Sequence, residues 1–452
     1  MTLVLILIAV IVFIVLATSK YKLHPFLTLI LAAFIAAFAY GLPSSTIAKT
    51  ITSGFGGILG YIGLVIVLGT IIGTILEKSG AAITMADVVI KLLGKRFPTL
   101  TMSIIGYIVS IPVFCDSGFV ILNSLKQSMA NRMRVSSVSM SVALATGLYA
   151  THTFVPPTPG PIAAAGNLGL ESNLGLVIGI GLLVSAVAAI AGMLWANRFS
   201  KVEPDGEGAA ALSADNQDYE ALKQSYGVLP SPMKAFAPIF IPILLICFGS
   251  IANFPSSPLG NGSLYQTFIF LGQPVNALLI GLFLSLPLLK GNNKVTVFSE
   301  RISEGLVSAA PILLITGAGG AFGAVLKATP IGDYLGSSLS ALGVGIFMPF
   351  LVSAALKSAQ GSSTVALVTT SALVAPLLGQ IGLDSEMGRV LTVMAIGAGA
   401  MTVSHANDSF FWVVAQFSRM SVNQAYKAQT MATLIQGLTA MFAVYLLSLV
   451  LL

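Results

Sequence analysis

The stretch FCDSGF, residues 114–119, places an aspartate inside a run that is otherwise soluble in lipid. Residues 101–113 before it carry no charge, and Val120, Ile121 and Leu122 follow it. A carboxylate in hydrocarbon is costly, and such residues are rare unless they face a partner or a water-filled cavity. Asp116 therefore indicates either a buried structural pair or a polar chamber within a membrane.

The whole chain has the composition of a polytopic membrane protein. Of its 452 residues, 56% are hydrophobic and 8% are charged, whereas soluble domains are about 25% charged. Many apolar segments exceed the roughly 20 residues that cross a bilayer. Membrane helices tolerate the 45 glycines and 21 prolines where neighbours or cavities satisfy the freed backbone groups. This composition excludes a large soluble helical protein.

The net charge of +6 reports orientation in a membrane and does not indicate a nucleic-acid partner. Cys115 and Cys247 lie in apolar runs without metal-ligand spacing, which speaks against a disulfide or a zinc site. Residues 1–20 lack a basic n-region and an obvious cleavage motif, so they are predicted to form a first span. A signal peptide is the alternative for that segment.

A polar stretch near the middle divides the chain into an N-terminal repeat (1–197), a linker (198–234) and a C-terminal repeat (235–452). The linker concentrates acidic residues: Glu203, Asp205, Glu207, Asp215, Asp218 and Glu220. The two flanking halves share short motifs in the same order, which indicates an internal duplication. The matched motifs are residues 109–110 and 116–118 with 352–353 and 359–361, and residues 151–152 with 404–405.

Charge distribution predicts that the second repeat is inverted relative to the first. Each half is expected to contain about five spans and one re-entrant hairpin, at about 98–129 and about 335–376. An odd number of spans turns the second half upside down. This arrangement places all but four of the 22 Lys and Arg residues in the cytoplasm, as the positive-inside rule expects. The exceptions are Lys49, Lys327 and Arg389 outside, and Lys357 within the membrane. The linker is then cytoplasmic and both termini face outward.

Four segments interrupt the apolar pattern inside the predicted spans. They are residues 114–118 and 357–364, at the predicted hairpin tips, and residues 151–161 and 404–409. Four prolines within residues 156–161 cannot continue a helix, so a broken span is predicted at about 135–170. A second broken span is expected at about 385–415 by the internal symmetry. Peptide N–H groups exposed at such turns attract anions.

At these segments the chain resembles the gluconate:proton symporter family, within the wider ion-transporter group. The resemblance covers the whole chain and is most specific at residues 358–366 (SAQGSSTVA) and 404–413 (SHANDSFFWV), with support at 22–26 and 317–322. It implies proton-driven import of gluconate or a related hydroxy acid through the inner membrane. For the wider group it also implies paired hairpins, a homodimer and elevator-like movement. No cofactor other than the coupling proton is expected.

The chain departs from the family pattern in two places. Asp116 and Ser117 replace a glutamate and a valine at the first hairpin tip, and Thr158 replaces a histidine. A shorter acid side chain and an added hydroxyl reshape a small polar pocket. A shorter substrate such as glycerate, or another acid such as D-serine, is therefore as defensible as gluconate.

The predicted site lies near mid-membrane, between the two tips and the two breaks. We expect the substrate carboxylate and hydroxyls to contact Ser117, Gly118, Thr158, Lys357, Gln360, Gly361, Ser362, Ser363, Thr364 and Asn407. Backbone N–H groups after Gly118 and Gly361 are expected to take part. Lys357 either holds the substrate carboxylate or neutralises Asp116.

Proton coupling needs a group whose pKa crosses the working pH as its surroundings change. The candidates are the carboxyls of Asp116 and Asp408, with His152 and His405 as relays. Sodium coupling is the alternative within transport, because carbonyls of broken helices can hold a cation. An intramembrane enzyme and a passive channel are the alternatives outside active transport. The sequence offers no recognisable nucleophile partner for a histidine, so no enzymatic activity is predicted.

Overall fold

A computed structural model of the protein describes residues 2–21, 23–93, 97–206, 219–252, 259–260, 262–291, 293–329, 345–406 and 408–452. Throughout these ranges the regular elements are helices, and none is a strand. The predicted all-α architecture is confirmed.

Twenty α-helices are present in the described ranges. Their bounds are α1 (Thr2–Ser19), α2 (Pro25–Ala39), α3 (Ser44–Ser79), α4 (Ala81–Leu93), α5 (Pro98–Val109), α6 (Cys115–Met133), α7 (Ser137–Phe154), α8 (Pro159–Asn167), α9 (Leu174–Ala196), α10 (Tyr219–Ser225), α11 (Pro232–Ala252), α12 (Ser263–Leu271), α13 (Pro274–Ser285), α14 (Lys294–Lys327), α15 (Phe347–Gln360), α16 (Ser363–Val374), α17 (Glu386–Met401), α18 (Ser409–Phe417), α19 (Val422–Ala425) and α20 (Met431–Leu451). A π-helical segment, Tyr426–Thr430, joins α19 to α20.

Five helical segments of the described chain are long and apolar enough to cross a bilayer, and two bent pairs raise the number to seven. The five are Ser137–Asn167, Glu171–Phe199, Pro232–Ala252, Lys294–Lys327 and Val422–Leu451. The bent pairs are the two parts of α3, and α12 with the segment Pro274–Leu288. The prediction of about five spans in each half stays a prediction.

The two halves show matching helix contacts, both within each half and across to the other half. Helix α5 packs on α7 as α15 packs on α17, and α7 packs on α9 as α17 packs on α20. Across the halves, α6 contacts α18 and α16 contacts α8. The long helices α3 and α14 run against each other, and α2 lies on α14. Such reciprocity is what a duplicated chain leads one to expect, while the inverted relation stays a prediction.

Four interruptions of the helices fall at the polar segments. Residues 110–114 separate α5 from α6, and Gly361 with Ser362 separates α15 from α16. Residues 155–158 separate α7 from α8, and residues 402–408 separate α17 from α18. The start of the second predicted hairpin, residues 335–344, and linker residues 207–218 lie outside the described residues. The domain limits stay predictions.

Candidate functional site

The two turns and two breaks meet in the interior because each helix after an interruption packs on the opposite half. Phe119 on α6 meets Phe410 on α18 edge to face, with 6.2 Å between ring centroids. On the other side, a side chain at Gly160 on α8 would contact Leu367 and Thr364 of α16. These contacts join α6 to α18 and α8 to α16. Lys357, which bonds to Gly361 before α16 and to Asp408 before α18, brings the two pairs together.

Local chemistry explains where these helices begin. Pro159 opens α8, since proline needs no hydrogen-bond acceptor there and its φ suits the first turn. Gly361 adopts φ 89° after α15, a left-handed conformation that favours glycine. Ser362 then caps α16 through its hydroxyl, and Asp408 caps α18 through its carboxylate.

A buried ion pair lies at the centre of the region. The ammonium of Lys357 lies 2.6 Å from Oδ2 of Asp408. Lys357 has no exposed surface and Asp408 is 5% exposed. The same ammonium donates to the carbonyl of Gly361 and lies 5.9 Å from the ring centroid of Tyr149. Lys357 therefore pairs with Asp408, and the predicted alternative in which it neutralises Asp116 is wrong for this structure.

Asp408 is held by neighbours on several elements. Its Oδ1 accepts the N–H of Phe410 at 3.0 Å, and its Oδ2 also accepts the hydroxyl of Ser404. Ser404 is itself fixed, because its N–H donates to Thr433 (2.9 Å) and its carbonyl accepts from Thr430 (2.6 Å). The carboxylate is thus desolvated but well supplied with donors, as a buried charge requires.

The break between α17 and α18 contains a strained backbone conformation. Val403 adopts φ 57°, in the left-handed region that β-branched residues avoid. Such conformations cost about 1–3 kcal/mol and persist only where the surroundings impose them. At Val403 the chain turns sharply between the end of α17 and Ser404, whose hydroxyl bonds to Asp408.

His405 connects the second break to the second hairpin. Its Nε2 lies 2.9 Å from the carbonyl of Ser358. A carbonyl only accepts, so Nε2 carries the proton in this contact. The bond ties residues 402–408 to the last turn of α15.

Asp116 and His152 lie nearby with unused capacity for hydrogen bonds. Oδ1 of Asp116 and Nδ1 of His152 are buried and have no hydrogen-bond partner among the described residues. The carboxyl of Asp116 is close enough to Asp408 to interact electrostatically. The ring of His152 lies 5.9 Å from that of Phe114, at the first turn. Such unpartnered buried groups are costly unless water, a proton or a ligand satisfies them.

The structure corrects the expected anion site at the first tip. Helix α6 begins at Cys115, ahead of Gly118, and the N–H of Gly118 donates to the carbonyl of Phe114 (2.8 Å). The N–H groups after Gly118 are therefore inside the helix, and the unsatisfied donors belong to the first turn, residues 115–117. Gly118 is instead a packing position, since a side chain there would press on Leu148.

Of the other predicted substrate contacts, some offer an N–H group without a helical acceptor, and others already make a hydrogen bond. The first-turn N–H groups of α16, at Ser363 and Thr364, have no helical carbonyl to bond. The hydroxyl of Thr158 donates to the carbonyl of Val155 (2.5 Å), so toward a ligand it can only accept. Asn407 lies outside the described residues, as does the side chain of Gln360.

A cavity of about 560 Å³ extends from one side of the protein to the first turn of α6. Phe114 and Ser117 line it, together with Glu77 of α3 and Glu304 of α14. A second cavity, of about 570 Å³, lies at the far ends of α8 and α16, where Asn167 and Ala372 line it with Lys327 and Arg389. The ion pair lies between the two cavities, because α8 and α16 begin at the site and end at the second cavity.

A sequence model of the family described as GntP family permease matches residues 1–450. The chain belongs to this family. It is 33% identical to the gluconate permease of Pseudomonas aeruginosa over 440 residues, which cover 96% of this chain and 94% of the relative. It is 32% identical to the D-serine transporter DsdX of Escherichia coli K12 over 441 residues, which cover 97% of this chain and 96% of the relative.

The fold is similar to that of the YdaH transporter of Alcanivorax borkumensis, a solved crystal structure. The TM-score is 0.68 at 13% identity, and the match covers 94% of this chain and 98% of the other. The family and this neighbour are membrane transporters and not enzymes. This GntP family permease is therefore a transporter, a multi-pass protein of the inner membrane, as the sequence predicted.

Sequence reasoning missed two groups that contact the ion pair. Ser404 lies within the polar segment 404–409, and its place four residues before Asp408 could have suggested the contact. Tyr149 is fully buried and stacks on Phe410 with 5.2 Å between ring centroids. Its position three residues before His152 places it on the same face of α7, the one signal available.

Proposed function

We propose that this permease imports gluconate or a related hydroxy or sugar acid across the inner membrane by proton symport. The observation that carries the proposal is the buried Lys357–Asp408 pair at the meeting point of two turns and two breaks. A desolvated cation with one displaceable carboxylate is suited to bind the carboxylate of a small acid.

Charge balance supports the coupling. A substrate carboxylate that joins Lys357 and Asp408 adds a negative charge to a region with little access to water, and an uncompensated buried charge is strongly unfavourable. A proton taken up by Asp408 removes the excess and frees Lys357 for the substrate. Substrate and proton then bind together because each makes the other's binding favourable.

Asp116 is the second proton site in this scheme. Its carboxyl lies near Asp408, and two neighbouring carboxylates resist being charged together. We propose that Asp116 is neutral when the substrate is bound and charged when the site opens to the cytoplasm. His152, with its unpartnered Nδ1, and His405 relay the proton.

The substrate class follows from the groups around the ion pair. The carboxylate binds Lys357 and the first-turn N–H groups of α16, while the hydroxyls meet Ser117 and Thr158. Gln360 and Asn407, whose side chains lie outside the described residues, are further partners on the ground of the sequence alone. Relatives named as a gluconate permease and a D-serine transporter support an acid that carries a hydroxyl. Gluconate, glycerate and D-serine all have this chemistry.

Sodium coupling receives less support than proton coupling. A sodium site in a broken helix needs carbonyl oxygens that are free to coordinate. The carbonyls of Ser358, Gly361 and Ser404 already accept hydrogen bonds from His405, Lys357 and Thr430. The carboxylate and two histidines at the same place favour a proton.

The homodimer and the elevator movement implied by the wider group belong to the same proposal. The α3–α14 pair would form the fixed part, and α5 to α8 with α15 to α18 the moving part. A cavity on either side of the ion pair supports alternating access.

Uptake of labelled gluconate into sealed vesicles tests the proposal. An inward proton gradient should drive accumulation by the parent protein, with or without sodium at fixed pH, and excess glycerate or D-serine should compete if it is a substrate. Asp116→Asn should abolish gradient-driven accumulation while exchange of labelled for unlabelled substrate continues. Undiminished acid-stimulated accumulation by Asp116→Asn, or a strict need for sodium, would overturn the scheme.

A further inference from the structure

Glu77 lies at the opposite wall of the cavity that reaches the first turn. It belongs to the last turns of α3, whereas Ser117 belongs to the first turn of α6. Both line the cavity of about 560 Å³, and the hydroxyl of Ser117 interacts with the carboxylate of Glu77. Glu77 therefore faces the residue that follows Asp116 directly.

The two carboxyls differ in their access to water. Oδ1 of Asp116 is buried and has no hydrogen-bond partner in the described part of the chain. Glu77 is half-buried and borders the open cavity, beside hydroxyls of Thr74 and Ser308. Asp116 and Ser117 are adjacent in the first turn of α6, and Ser117 and Glu77 line the same cavity, so Glu77 is a carboxyl between this turn and bulk water.

Several charged and titratable groups surround Glu77. Lys78 follows it on α3 and Glu304 faces it from α14. Glu304 is engaged by Arg301, whose Nη1 lies 2.5 Å from Oε2. The linker covers the end of α3, where burial and then the charge of Glu77 raise the pKa of Tyr226. Of the two carboxyls that line the cavity with Ser117, Glu304 is paired with Arg301, whereas Glu77 is in no ion pair among the described residues.

We propose that Glu77 is the proton-exchange residue between Asp116 and the cavity, on the side predicted to be cytoplasmic. The O–H bond at Asp116 breaks as a proton passes through the Ser117 hydroxyl or a water, and an O–H bond forms at Glu77. Glu77 then gives the proton to cavity water and returns to the carboxylate. This inference rests on the proposed function, since it supplies the exit for the coupled proton.

Glu77→Gln tests the inference in the same vesicles. The amide keeps the size and polar contact but cannot carry a proton. We expect proton-driven gluconate uptake to fall at least tenfold, while exchange at equal pH on both sides stays within about twofold of the parent. Glu77→Asp, which keeps the carboxyl, should restore at least a third of the lost uptake.

Glu304→Gln is the matched control, because it removes another carboxylate from the same cavity. It should leave uptake within about twofold of the parent. If Glu77 only anchors the first turn of α6, Glu77→Gln will lower exchange together with proton-driven uptake.

Three outcomes would overturn the role of Glu77: unchanged proton-driven uptake in Glu77→Gln, an equal loss in Glu304→Gln, or a loss of exchange together with uptake. None of them touches the proposed function, provided that the parent still couples uptake to protons. Failure of the parent to do so would defeat the proposed function instead. Should Glu77→Gln fail to fold, Glu77→Asp at low proton gradient should show an altered pH profile, and an unaltered profile would count against the relay.

Discussion

At the scale of single residues, the buried Lys357–Asp408 pair is the feature on which the proposed transport mechanism depends. Removing one partner of a buried pair leaves an uncompensated charge, which typically costs about 3–5 kcal/mol. Removing both partners leaves no charge to solvate. The pair therefore adds little net stability. A third charged group, such as a substrate carboxylate, could bind there by displacing one of the two partners.

We expect Lys357→Met to lower the free energy of unfolding by about 3–5 kcal/mol, because Asp408 is then buried without its cation. Lys357→Met combined with Asp408→Asn should recover most of that loss, since asparagine also caps a helix. Neither variant should bind substrate. Denaturant titration in mild detergent, with labelled gluconate binding beside it, measures both effects. Equal stability of the single and double variants would contradict this view of the pair.

At the scale of the elements, close helix crossings fix the four interruptions in place. Helices α5 and α7 touch where a side chain at Gly147 would overlap the carbonyl oxygen of Ser103. The corresponding crossing of α15 and α17 brings Gly399 against the carbonyl oxygen of Phe350. These crossings lie near His152 and Ser404, so the hairpins and the breaks are positioned by the same contacts. Small residues at such crossings let backbones approach closely in a membrane.

Gly147→Ala and Gly399→Ala should each destabilise the protein by about 1–3 kcal/mol, because backbone must move to admit the new methyl group. Gly179→Ala is the control: its position in α9 has open space within 4 Å, and alanine favours a helix by roughly 0.5–1 kcal/mol. Thermal unfolding in detergent should therefore rank the control at or above the parent. Equal behaviour of all three variants would show that these crossings tolerate a larger separation.

At the scale of the whole molecule, the two cavities and the charge distribution predict a direction. The cavity at Glu77 lies at the end of α3 that carries Lys78, and the other cavity lies near Lys327 and Arg389. The positive-inside rule, applied to the whole chain, predicts that the first side is cytoplasmic. Import by the proposed route would then end at the cavity that Ser117 and Glu77 line.

This orientation is testable with single cysteines at exposed positions. Ser45→Cys, at the start of α3, should react with a membrane-impermeant thiol reagent in intact cells. Ser231→Cys, in the linker, should react only after the inner face is exposed in inverted vesicles. The parent protein gives the background, because Cys115 is buried and Cys247 is half-buried. The reverse pattern would invert the predicted topology and the direction of both cavities.

Much of the site could be read from local chemistry in the sequence. Prolines and glycines among apolar runs mark where helices stop, because they remove or weaken backbone hydrogen bonds whatever the fold. That reasoning predicted breaks near His152 and His405, and the helices are interrupted at residues 155–158 and 402–408. It placed the free N–H groups after Gly118, whereas α6 begins at Cys115 and its free N–H groups are those of residues 115–117. The first residue of α6 depends on how α5 and α6 pack, which local propensity does not specify.

The sequence by itself determined the class of the protein: too few charges for water, breaks within apolar segments, and family motifs at those breaks. The tertiary structure alone decided the partners. Lys357 and Asp408 are 51 residues apart, and either Asp116 or Asp408 could have taken the lysine by charge alone. The packing of α15 on α17 and the break after α17 bring Asp408 within 2.6 Å of the lysine and leave Asp116 in no ion pair among the described residues, because a buried ion pair depends on distances that local sequence does not fix.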